Sequence, residues 1–136
     1  MLGKIPAARL ALIEKIVRSV PRNLPKSAGT LAGDFLRAYF RGVAEEDLRA
    51  HRSADLATAA LAHLELGRNR SGNRVCVELA PPLDPATAAQ RAVVRLVAPD
   101  MPFLVESVGI VFNQMNVAVH LIVHPVLNAA TRAGGC

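Results

Sequence analysis

RAVVRLVAPDMPFLVESVGIVFNQMNVAVHLIVHPVL, residues 91–127, is the stretch whose reading decides the fold. Its middle follows a helical period: Leu104, Val108, Val111, Phe112 and Met115 recur at i, i+4, i+7, i+8 and i+11, the spacing of one helix face. Pro102 suits a first helical turn, whose N–H would have no partner anyway, and Asp100 can cap a free amide while its charge meets the helix dipole. On either side the period changes to two. Arg91 to Ala98 reads as a strand pointing Ala92, Val94 and Leu96 inward, and Val117 to Leu127 as another with Val117, Val119, Leu121 and Val123 on one face. Strand, helix and strand with tight links predict a β-α-β unit.

Upstream, Arg74 to Ala80 alternates again, with Val75, Val77 and Leu79 expected inward and Arg74, Cys76 and Glu78 outward. Pro81, Pro82, Asp84 and Pro85 make a stiff link to the next strand. Earlier still the pattern is helical throughout. Ile5 to Val20 carries an apolar stripe, stopped by Pro21 and Pro25. A second helix from Ser27 or Thr30 to Phe40 is expected to bury Leu31, Phe35, Leu36, Tyr39 and Phe40, with Gly42 as its stop. Glu45, Glu46 and Asp47 suit the positive end of a short helix, and Ser53 can cap another from Ala54 to about Gly67.

The fold class expected is therefore α+β: N-terminal helices followed by a partial ferredoxin-like split β-α-β sheet. The organisation expected is a helical lead-in over residues 1–70 and an α/β unit over 71–136, together one compact domain cut short at its C-terminus. If the strands flanking the central helix run parallel, an antiparallel strand fits between them. Either Arg74 to Ala80 or a further strand downstream could fill that slot, and both arrangements leave an apolar edge for something else to cover.

Composition narrows the function. The chain has 136 residues, 51% apolar and only 4% aromatic, with a net charge of +5. That is long enough for one aliphatic core and too short for a nucleotide-binding domain plus a substrate domain. The basic residues form no run, and no aromatic-interleaved strand is present to stack bases, so nucleic acid is a poor candidate partner. Cys76 and Cys136 lie far apart and suggest neither a disulfide framework nor a CxxC site. Charges interrupt the segment from Ile5 to Val20, so no signal sequence or membrane span is expected, and a cytoplasmic protein is.

Sites of chemistry are scarce. No GxGxxG, GxxxxGK[ST] or GxSxG occurs, and Gly29 and Gly33 fall inside a helical pattern. His120 and His124 share one side of the expected strand, but four strand residues separate them by roughly 13 Å, too far to share a zinc ion. His51 and His63 stand alone on helices, Ser107 has no base, and Asp100 with Glu106 reads as helix decoration. No catalytic residue, cofactor-binding residue or metal ligand is assigned in this chain.

The run Asp100-Met101-Pro102-Phe103-Leu104-Val105-Glu106-Ser107-Val108, followed by His120-Leu121-Ile122-Val123-His124-Pro125-Val126, resembles the N-terminal region of the large bacterial NAD-specific glutamate dehydrogenases. Phe35, Tyr39-Phe40, Glu46-Asp47-Leu48 and Ala60-Leu61-Ala62-His63 resemble the helical lead-in of the same family. The resemblance implies an ACT-like domain, regulatory or assembling, in an enzyme that deaminates L-glutamate to 2-oxoglutarate with NAD. Its catalytic domains would lie downstream in the same chain, and a homo-oligomer is implied. It further implies an amino-acid effector held at the loop between strand and helix. Asp100 matches the family's acidic position, Met101 follows it, and Phe103 stands where a glycine is expected. A free-standing ACT-like amino-acid sensor or protein-interaction module is the alternative.

Overall fold

The computed structural model describes residues 4–20, 26–70, 72–87 and 89–127, with the backbone alone for 26–30. Expectations that fall on Pro21, Pro25, Ser27, Thr30 and Cys136 concern side chains outside these limits. Four helices come first: α1 (Ala7–Arg18), α2 (Lys26–Phe40), the single-turn α3 (Glu45–Arg49) and α4 (Ser53–Arg68). They match the four helical patterns to within a few residues. Two strands follow, β1 (Cys76–Ala80) and β2 (Val93–Val97), then α5 (Leu104–Gln114). The architecture is α+β, with a partial β-α-β region at its C-terminal end.

The core lies among the helices. Ile13 and Ile16 of α1 meet Leu36 and Phe40 of α2, Leu48 of α3, and Leu56, Ala57 and Ala60 of α4, with Val43 between α2 and α3. Burial of this cluster is the main force holding the N-terminal half, at roughly 1.5–3 kcal/mol for each large side chain fully removed from water. The helices come close where side chains are small: a Cβ built on Gly33 would stand 3.4 Å from Val17 Cγ1. Across the same α1–α2 contact, Arg37 donates Nε to Glu14 Oε1 at 2.7 Å and Nη2 to Glu14 Oε2 at 3.2 Å. This forked pairing holds the Glu14 carboxyl below its ordinary range, chiefly through the hydrogen bonds from Arg37. Leu31, expected in the core, is 63% exposed on the far side of α2. Ser53 does not cap α4. It is the first helical residue, Arg52 takes the cap position, and the Ser53 carbonyl instead accepts a hydrogen bond from the Ser19 hydroxyl.

β1 and β2 pair antiparallel, Cys76 opposite Val97, Glu78 opposite Arg95 and Ala80 opposite Val93. The face turned inward is the opposite of the one the sequence pattern predicts. Cys76 and Ala80 are buried, whereas Val75, Val77 and Leu79 are 54%, 63% and 75% exposed. The reason is the layer beneath. α4 meets the sheet at Gly67, where a built Cβ would stand 3.8 Å from a Val97 methyl, and the small side chains of Cys76 and Ala80 are buried on that face. Opposite-facing Val77 and Leu79 pair with Leu96 and Val94 instead, so apolar side chains gather on the outer surface. Cys76 is disulfide-bonded, where neither cysteine was expected in a bridge.

Three further expectations change at the C-terminal end. α5 begins at Leu104 rather than Pro102, and its cap residue is Phe103 in the left-handed conformation, φ 63°, with no side-chain cap from Asp100. The helix face running through Val111 and Met115 is 51% and 63% exposed at those residues rather than buried. Residues 117–127 enter no hydrogen-bonded ladder, so the second strand of the predicted unit is absent from the sheet, which has two strands among the described residues. The segment still alternates: Leu121 and Val123 pack against the helical core while His120, Ile122 and His124 are exposed. Period two survives because burial on one side dictates it, even without a partner strand to accept the backbone bonds.

Candidate functional site

The expected effector residues, Asp100, Met101 and Phe103, sit together on the loop from β2 to α5, and all three are exposed. Phe103 does not fill a pocket; its side chain is 75% exposed. Its backbone, however, takes the positive φ that a glycine adopts without strain and other residues only at a cost. The position therefore has glycine geometry with a phenylalanine side chain. Because no side chain caps α5, the first-turn amides are open to an acceptor such as a carboxylate.

A second constellation joins the helical layer to the sheet. Tyr39 lies between Phe35 and Phe40, its ring centroid 5.4 Å and 4.8 Å from theirs, and its hydroxyl is 2.8 Å from Nδ1 of His63. Nε2 of His63 is 3.0 Å from the carbonyl oxygen of Leu96 in β2. A carbonyl can only accept, so Nε2 carries the proton, and Nδ1 of the neutral ring accepts from the Tyr39 hydroxyl. Burial pushes the Tyr39 phenol up to about 12, with the charge of Arg95 drawing it partly back. The chain tyrosine–histidine–carbonyl ties α2 and α4 to β2 and leaves none of its polar atoms unpaired. His63, read from sequence as an isolated surface or half-buried residue, is thus a structural bridge. A tyrosine expected in the core and a lone histidine on another helix were the only sequence signal, and they do not specify contact.

Two small cavities open beside this bridge. One, of about 210 Å³, lies between the end of α2 and the 117–127 segment, lined by Ala38, Tyr39, Val43, Ile122, His124 and Pro125 among others. His124 faces this hollow, whereas no strand sets its spacing from His120. The other, of about 240 Å³, lies between α4 and the proline-rich β1–β2 link. Arg95 reaches it from β2 while donating Nη1 to Glu78 Oε2 across the strand pair at 3.1 Å. Neither cavity includes Asp100, Met101 or Phe103.

Among the described residues, no group of three or more His, Cys, Asp and Glu side chains is placed to hold a metal ion. No helix among them is long and apolar enough to cross a membrane.

Comparison with known proteins returns one family. No curated protein and no solved structure matches the chain. The family model described as the glutamate dehydrogenase ACT1 domain matches residues 35–135, from the middle of α2 through both strands and α5. The match covers the Tyr39–His63–Leu96 bridge, the Asp100–Phe103 loop and both cavities. By that match the chain belongs to the glutamate dehydrogenase ACT1-domain family.

Proposed function

We propose that this chain is the non-catalytic, N-terminal regulatory or assembly segment of an NAD-specific glutamate dehydrogenase. Oxidative deamination of L-glutamate to 2-oxoglutarate, with NAD as cofactor, would belong to downstream domains of the same polypeptide. The observation that carries the reading is the surface left bare on the ACT-like part. Val75, Val77, Leu79 and Val94 on the sheet, and Ile110, Val111 and Met115 on α5, are all at least 44% exposed. Apolar surface of this kind is the mark of a module that docks against other parts of an assembly. Cytoplasmic glutamate metabolism and a homo-oligomeric enzyme are the setting this reading implies.

Within it, the β2–α5 loop is the proposed effector site. Asp100 would receive an ammonium group, the free amides of α5 a carboxylate, and the glycine-like backbone of Phe103 would let a ligand approach. The second reading, a free-standing ACT-like sensor or interaction module, draws on the sheet edges, which pair with no further strand among the described residues and can add one from another copy.

The test is the length and activity of the native polypeptide. A long chain that reduces NAD in the presence of glutamate, and whose activity loses its amino-acid response in Asp100→Asn, supports the regulatory reading. A native polypeptide ending at Cys136 that purifies as a stable dimer supports the second reading and defeats the first.

A further inference from the structure

We draw no further inference here: the strongest candidate, the exposed apolar outer face of the β1–β2 sheet at Val77, Leu79 and Val94, carries nothing further because nothing in the structure shows what covers it.

Discussion

Tyr39 offers a test of how the helical layer is joined to the sheet, because it is the only tyrosine and the chain has no tryptophan. Its phenol is pushed from the ordinary 10.0 up to about 12, first by burial. The folded state therefore holds the proton more tightly than the unfolded state, and between those two values the native chain carries more bound protons. Stability must then fall as pH rises. The contribution is fully present below about pH 10 and is lost as pH climbs through about 12. A difference of two units corresponds to roughly 2–3 kcal/mol across the window. Phenolate absorbance reports Tyr39 alone. The native protein should titrate near pH 12 and the urea-unfolded protein near pH 10. Urea denaturation across the same window should show an alkaline loss of stability that is reduced in Tyr39→Phe. At neutral pH that variant, which leaves His63 Nδ1 without its donor, should be about 1–3 kcal/mol less stable. A native titration midpoint near pH 10, with the alkaline arm unchanged in Tyr39→Phe, would refute the burial argument.

Other substitutions probe separate parts of the molecule. Phe40→Ala removes a side chain that is 1% exposed at the centre of the helical core, and thermal melting should show a loss of about 3–5 kcal/mol. Val77→Thr and Leu79→Thr, on the outer face of the sheet, should change stability by no more than about 0.5 kcal/mol, while Ala80→Asp on the inner face should unfold the hairpin; the reverse order in urea would restore the face read from sequence. Phe103→Gly should leave stability unchanged or raise it by about 1 kcal/mol in a melting experiment, since it relieves a positive φ at a residue that buries little. Glu14→Gln removes a half-exposed ion pair and should cost no more than about 1 kcal/mol, a difference that vanishes in acid as the depressed Glu14 carboxyl protonates.

The sequence by itself determined the element list. Period 3.6 in α1, α2, α4 and α5 and period two in β1 and β2 are local facts, set by side-chain direction along a helix or strand, and each appeared within a few residues of its expected place. The runs around Asp100 and His124 carried the family, since a motif is read from residue order without any fold. What local pattern could not decide was which side of a strand turns inward. Alternation fixes two faces and leaves their choice to the layer that packs on one of them; here α4 meets the sheet at Val97, beside the small side chains of Cys76 and Ala80, and leaves Val77 and Leu79 outside. The same limit hid the fate of residues 117–127. An alternating segment needs a neighbouring backbone to become a strand, and Leu121 and Val123 found the helical core instead. The Tyr39–His63–Leu96 bridge draws its residues from three elements distant in the chain. Only tertiary packing brings such residues within a few ångströms, which is why the bridge was not legible before the helices and sheet were assembled.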